Sequence, residues 1–257
     1  MKTVILCGGL GMRLREVAQD LPKPMVRIGN YPILLHIMRH YSSYNFKEFI
    51  LCLGYKSEEI KNYFLNLHMY NYDFQIKLSK EPQLTFFDNI IEQEWKILFA
   101  ETGLQSLTGT RVKKIKKYLD NNDDFFLTYG DGISDIDLNE LFKFHKDNKK
   151  IMTVTGVVPP GRFGEIIYDE NYEVKAFTEK SNKQNNLISG GFFVCNKKIF
   201  DYLSDDDHMI EEVPMTKIAM DNQMIVFNHK GFWHAMDTPR DYEYLNKNHC
   251  NIKFLKK

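Results

Sequence analysis

The chain has 257 residues, 43% of them hydrophobic and 26% charged, a composition that excludes extended disorder and permits one large α/β domain or two small ones. Its 34 basic and 34 acidic residues cancel to a formal net charge of zero, so no global field draws it to nucleic acid or to an anionic membrane. Cys7, Cys52, Cys195 and Cys250 stand far apart, with no pair at zinc-ligand or redox spacing, and no apolar run approaches the ~18 residues of a membrane span. The apolar run Val4-Ile5-Leu6-Cys7 is too short for a signal peptide, and a cytoplasmic protein with reduced thiols is expected.

Val4 to Cys7 is closed by Gly8-Gly9 and reads as a strand buried on both faces, as in a parallel sheet, with Leu6 at its ligand-facing end. After Pro32, residues Ile33, Leu34, Ile37, Met38 and Tyr41 recur at helical spacing, and Phe49 to Leu53 supplies the next strand. A helix around Glu58 to Leu65, strands around Phe74 to Leu78 and Trp95 to Phe99, and a basic helix around Val112 to Leu119 follow. The lysines of that last helix read as a solvated face rather than a phosphate patch. Phe125 to Tyr129 is a strand ending at Gly130-Asp131-Gly132, and Leu138 to His145 and Ile151 to Val157 add a helix and a strand. Beyond Pro159-Pro160 the pattern shortens to Glu165–Tyr168, Val174–Phe177 and Gly190–Val194, then helices around Ile199 and Thr216, a strand from Met224 to Phe227 and a helix from Arg240. Repeated βα units predict an α/β fold with a doubly wound, mostly parallel open sheet. A single domain over 1–257 is expected, with the double proline separating halves 1–158 and 159–257.

Four features carry chemistry. Gly8-Gly9-Leu10-Gly11-Met12-Arg13 follows the first strand and opens toward a helix, a context in which glycine backbone N–H groups approach phosphate oxygens. The same string also fits a plain strand-to-helix turn. Lys23 stands between Pro22 and Pro24, which predicts a stiff, extended segment presenting an ammonium group with little reorganisation. Asp131 between two glycines and Asp237 before Thr238-Pro239 sit at strand ends, where two carboxylates can share one Mg²⁺ with phosphate oxygens. Asp237 also fits a helix cap. His234 near it reads as a packing residue rather than a base.

Together with Pro160-Gly161-Arg162-Phe163-Gly164, Glu179-Lys180, Gly190-Gly191-Phe192-Phe193-Val194 and Gly231-Phe232-Trp233, these strings resemble the sugar-phosphate nucleotidyltransferases, and within them the glucose-1-phosphate cytidylyltransferase family. The resemblance runs in order from residue 1 to about 247. It implies the Rossmann-like nucleotidyltransferase fold, with a nucleotide-binding half and a smaller β-rich acceptor-binding part. It implies CTP and a sugar 1-phosphate, glucose 1-phosphate first, as partners, Mg²⁺ as cofactor and a homo-oligomer. Arg13 and Lys23 are implied as catalytic groups, and Leu6, Gly8, Gly9, Gly11, Met12, Ser106, Arg111 and Gly130 as nucleotide contacts. Glu179, Lys180, Ser189 and Gly190 are implied on the acceptor, with Asp131 and Asp237 on the metal. Two positions depart from the family pattern: Met12 replaces a threonine of the triphosphate loop, and Ser189 replaces an asparagine with longer reach and more bonding groups. The alternatives are a transferase of the same fold using another nucleotide or acceptor, and a non-catalytic nucleotide sensor. The joint presence of Lys23, Asp131 and Asp237 disfavours the sensor.

Overall fold

The computed structural model describes residues 1–9, 11, 14, 21–87, 90–119, 124–159, 165–168, 170, 173–178 and 187–252. In chain order they form β1 (Lys2–Leu6), β2 (Arg27–Ile28), β3 (Tyr31–Pro32), α1 (Ile33–Ser43), β4 (Glu48–Leu53), α2 (Ser57–Leu65), α3 (Leu67–Asn71), β5 (Phe74–Lys77), β6 (Gln83–Phe86), β7 (Lys96–Glu101) and α4 (Thr108–Lys114). There follow β8 (Asp124–Tyr129), β9 (Gly132–Ser134), α5 (Leu138–Asn148), β10 (Met152–Val157), β11 (Glu165–Tyr168), β12 (Val174–Thr178), β13 (Ile188–Asn196), α6 (Val213–Met220), β14 (Met224–His229), β15 (Trp233–Ala235) and α7 (Pro239–Asn248). No described helix is long and apolar enough to cross a membrane.

Seven strands make the central sheet in the order β14-β10-β13-β8-β1-β4-β7. β8, β1, β4 and β7 run parallel, β10 and β14 run parallel to each other, and β13 is antiparallel to both of its neighbours. The apolar run of β1 is explained by this central place: Ile5 and Cys7 pack on one face with Leu34, Tyr41, Phe126 and Phe192, while Val4 and Leu6 pack on the other with Phe125, Phe193, Val112 and Ile199. Each such side chain fully withdrawn from water contributes about 1.5–3 kcal/mol. Tyr41 of α1 stacks on Phe192 at 6.2 Å and meets Phe126 edge-on at 5.3 Å, which fixes α1 against β8 and β13.

The structure differs from the sequence reading in several local respects, and the helix expected around Ile199 is a 3₁₀ helix (Lys197–Tyr202). The Phe74 strand lies outside the main sheet and pairs antiparallel with β6. The basic helix begins earlier, as α4, and finishes as a separate 3₁₀ turn (Lys116–Tyr118). Its start is set from a distance: Leu107 N–H donates to Asp207 Oδ1, and Gly109 N–H to the His208 carbonyl. Its lysines are engaged rather than merely solvated, Lys113 with Asp205 and the Leu203 carbonyl, Lys114 with Ser106 and the Thr102 carbonyl. Lys23 opens a 3₁₀ turn (Lys23–Met25) instead of continuing an extended strand, because Met25 N–H bonds back to the Pro22 carbonyl at 2.8 Å. The cap of α7 is Thr238, not Asp237: its hydroxyl and Asp241 form a capping box.

Two parallel strands deliver the sequence motifs to one edge. β1 and β8 pair in register, Leu6 opposite Tyr129, so Gly8-Gly9 and Gly130-Asp131 emerge side by side at their carboxyl ends. β9 and β15 then pair antiparallel, Gly132 opposite Ala235, and Met236 N–H donates to the Asp131 carbonyl at 2.9 Å. That short ribbon brings Asp237 to Asp131 across more than a hundred residues of chain.

Candidate active site

Lys23, Asp131 and Asp237 converge. The Lys23 Nζ donates to Asp131 Oδ2 at 2.5 Å and to Asp237 Oδ1 at 2.6 Å. Burial pulls the Lys23 pKa down, but the two carboxylates outweigh it and hold the group above the ordinary lysine value. Behind Asp237, the Asp241 carboxylate accepts from the N–H of Asp237 and of Thr238, and His234 bonds Asp241 at 3.1 Å while stacking on Tyr244. His234 thus supports the backbone that carries Asp237.

A cleft of about 570 Å³ opens over this group, lined by Gly8, Gly9, Gly11, Lys23, Gln105, Ser106, Arg111, Asp131, Met209 and Asp237. It continues into a smaller recess of about 230 Å³ that adds Leu6, Cys7, Pro24, Thr108, Tyr129 and Gly130. Gly11 has φ +60°, a conformation that suits glycine, and its Cα lies beside the Lys23 stem: a Cβ there would stand 3.2 Å from Lys23 Cβ. The glycine loop and the lysine are therefore in van der Waals register.

Arg111 forms the floor. Only 4% exposed, its guanidinium donates to the carbonyls of Gly8 (3.0 Å), Leu53 (2.8 Å) and Leu104 (3.3 Å) and to Thr102 Oγ1 (2.7 Å). Gly8 is a glycine for this reason, since a Cβ would lie 2.1 Å from Arg111 Cζ. All four acceptors are neutral, and burial lowers the Arg111 pKa from its usual value. The floor of the cleft thus carries an arginine that ties three chain segments together and leaves its positive charge unopposed by these acceptors. Ser106, on the rim, donates to the Thr102 carbonyl and accepts from Lys114.

The matching sequence profile is that of the family described as Nucleotidyl transferase, over residues 2–251. The chain belongs to this family. It is 40% identical over 245 residues to the glucose-1-phosphate cytidylyltransferase of Salmonella typhi, covering 95% of this chain and 94% of that protein. It is 41% identical over 249 residues to the probable glucose-1-phosphate cytidylyltransferase of Bacillus subtilis, covering 96% and 95%. Among solved structures, UDP-glucose pyrophosphorylase complexed with UDP-glucose superposes with a TM-score of 0.68 at 15% identity, covering 97% of this chain and 98% of that one. HddC from Yersinia pseudotuberculosis superposes with 0.67 at 24%, covering 96% and 98%. The expected Rossmann-like nucleotidyltransferase fold is the one observed.

Within this nucleotidyl transferase, the structure gathers Leu6, Gly8, Gly9, Gly11, Lys23, Ser106, Arg111, Gly130, Asp131 and Asp237 at one cleft. Met12, Arg13, Glu179 and Lys180 lie outside the described residues. Ser189 is exposed, stands opposite Gly156 in the β10–β13 register, and lines a separate groove with Met215, Ala219 and Val226. Gly190 is buried, and its carbonyl accepts from Trp233 Nε1 at 2.7 Å. Sequence reasoning missed the segment that closes the far wall of the recess. Tyr129 donates to Glu211, Thr108 Oγ1 donates to the same carboxylate at 2.5 Å, and Met209 lines both cavities. Asp205-Asp206-Asp207 reads locally as a solvated acidic loop, and nothing nearby in sequence signals contact with residues about a hundred positions away.

Asp131 and Asp237 suit a hard divalent cation. Mg²⁺ is commonly bound through one or two carboxylates together with substrate phosphates, and here two carboxylate oxygens already aim at one positive group, the Lys23 ammonium. Among the described residues no group of three or more His, Cys, Asp or Glu converges, so phosphate oxygens and water would complete such a site.

Proposed function

We propose that the protein transfers a cytidylyl group from CTP to a sugar 1-phosphate, glucose 1-phosphate first, releasing pyrophosphate and forming a CDP-sugar. The observation that carries this reading is the convergence of Lys23, Asp131 and Asp237 beside the Gly8–Gly11 turn, at the carboxyl ends of two parallel strands. The nucleotide and acceptor follow the Salmonella and Bacillus relatives.

The acceptor's phosphate oxygen attacks the α-phosphorus in line with the departing pyrophosphate. A phosphate monoester carries about −1.5 to −2 charge near pH 7, so no base is needed to activate it. This agrees with the cleft wall: Cys7 reaches it, but burial raises its pKa well above the ordinary thiol value and keeps it protonated. Asp131 and Asp237 would hold a Mg²⁺, which when bound would neutralise charge on the phosphate oxygens. The residues of the chain then position and stabilise. Gly8, Gly9, Gly11 and Met12 offer backbone N–H groups to the triphosphate, Arg13 and Lys23 meet charge that shifts during transfer, and Arg111 holds the floor electropositive. Ser106, Leu6 and Gly130 bound the nucleoside, and Glu179, Lys180, Ser189 and Gly190 of the 159–257 half are assigned to the acceptor by the family resemblance, which for Ser189 requires the acceptor to reach the groove it shares with Met215 and Val226.

The test is a pyrophosphate-release screen of four nucleoside triphosphates against a panel of sugar 1-phosphates, with CTP and glucose 1-phosphate expected to lead. Nucleotide binding without pyrophosphate release from any pair would make the protein a sensor. Asp131→Asn and Asp237→Asn are each expected to lower turnover at least about a hundred-fold while the protein stays folded.

A further inference from the structure

We propose that Lys23 is the resident counter-ion of the Asp131–Asp237 pair in the nucleotide-free protein, so that the divalent cation is loaded together with the triphosphate by ion exchange. The inference rests on the reading of these carboxylates as the metal pair.

The ammonium bridges one oxygen of each carboxylate at 2.5 and 2.6 Å. A cation coordinated by the same two oxygens would have to share this space with a like charge, so ammonium and metal exclude one another there. The Lys23 side chain is only 16% exposed, whereas Asp131 and Asp237 are 28% and 39% exposed, so the carboxylates can be approached from the cleft while the lysine fills the space between them. The Lys23 stem lies against Gly11, and its four-carbon chain has free torsions that can carry Nζ from the carboxylates toward the Gly8–Gly11 turn without moving the 3₁₀ turn that anchors its backbone.

The exchange leaves each cation with an anionic partner, the lysine on phosphate and the divalent ion on the carboxylates. Lys23 leaves the two carboxylates when the β- and γ-phosphate oxygens offer it other anions, and Asp131 and Asp237 would then be free to hold a divalent cation that arrives with the triphosphate. Free metal, bringing no anion for the lysine, must displace it into a cleft whose floor is the Arg111 guanidinium. The ligand recognised is therefore the metal–triphosphate complex.

The experiment is Mn²⁺ binding, followed by the electron paramagnetic resonance signal of the free ion. Wild type is compared with Lys23→Met and Lys23→Gln, each with and without CTP, and with Asp131→Asn in both lysine backgrounds. Glutamine keeps a hydrogen-bond donor without the charge, so either variant serves if the other fails to fold. Without nucleotide, removing the ammonium is expected to tighten Mn²⁺ binding by at least about tenfold, and Asp131→Asn abolishes the gain. With CTP bound, wild type and variants converge to within about threefold, because the lysine has already left the carboxylates. Equal Mn²⁺ affinity of wild type and both variants without CTP, alongside Asp131-dependent Mn²⁺ binding with CTP, overturns the exchange and leaves the metal pair standing. Protein-bound Mn²⁺ indifferent to Asp131→Asn in every state overturns the metal pair itself.

Discussion

Arg111→Lys separates a structural clamp from a simple ligand contact. The guanidinium makes four hydrogen bonds to Gly8, Leu53, Thr102 and Leu104 from a nearly dry site. A single ammonium nitrogen cannot span the Gly8 carbonyl on β1's loop and the Leu53 carbonyl on β4 as the planar fork does, so at least two of the bonds are lost. Bonds from a charged donor contribute about 1.5–3 kcal/mol each. The lower end applies, because the Leu53 carbonyl keeps its bonds from the N–H and hydroxyl of Thr102, and the Gly8 carbonyl keeps a long one from Tyr55 N–H. Losing about 3 kcal/mol should lower the melting temperature of a chain this size by roughly 6–12 °C. Thermal unfolding by circular dichroism, paired with CTP titration calorimetry, reads both consequences: the variant melts earlier and binds nucleotide more weakly, since the glycine loop is no longer pinned. A melting temperature within about 2 °C of wild type, with CTP binding lost, would show that Arg111 serves the ligand alone and that the clamp is energetically idle.

Other outcomes follow from the same structure. Glu92, whose side chain is 1% exposed, pairs with Arg39 at 2.6 Å and accepts from Tyr72, so Glu92→Gln leaves a buried cation underpaired and is expected to destabilise by about 3–5 kcal/mol. A lowered urea midpoint at unchanged slope checks this, and an unchanged midpoint refutes it. Burial pushes His36 and His40 down to about 4, from the ordinary 6.5, so both are neutral when folded. Their contribution is complete above pH 6.5 and is lost as pH falls toward 4, by up to about 1.4 kcal/mol per pH unit per histidine. Urea unfolding across that window should show the decline, and His36→Gln should flatten it; a pH-independent midpoint would contradict the burial argument. Ser189→Asn should change kcat/KM for sugar 1-phosphates by roughly fivefold or more with the KM for CTP unaltered, and no change with any acceptor would remove Ser189 from the acceptor site.

Much of the fold was legible because its signals are local. A short, continuous apolar run closed by glycines reads as a strand covered on both faces, and β1 is one, with Val4 and Ile5 fully buried. The apolar spacing after Pro32 marks α1, whose residues from Ile33 to Tyr41 are all buried. The Phe74 strand was equally legible as a strand, yet its alternation carries no record of its partner. It pairs with Gln83–Phe86 in a separate two-stranded sheet and stays exposed.

For the site, residue type and local backbone settled which groups were candidates: a lysine between prolines, an aspartate between glycines, a glycine turn after a buried strand. These depend on covalent geometry and neighbours one or two positions away, which a sequence contains in full. What tertiary structure alone decided is which of them meet. The β9–β15 ribbon sets Asp237 beside Asp131, α4 lays Arg111 under Gly8, and Glu211 reaches back to Tyr129 and Thr108. Each of these depends on a contact spanning eighty to more than a hundred residues, whose direction is set by strand order and packing. The pairing of Lys23 with both carboxylates, and with it the cation already seated where a metal would go, exists only once those separate segments are folded onto one edge of the sheet.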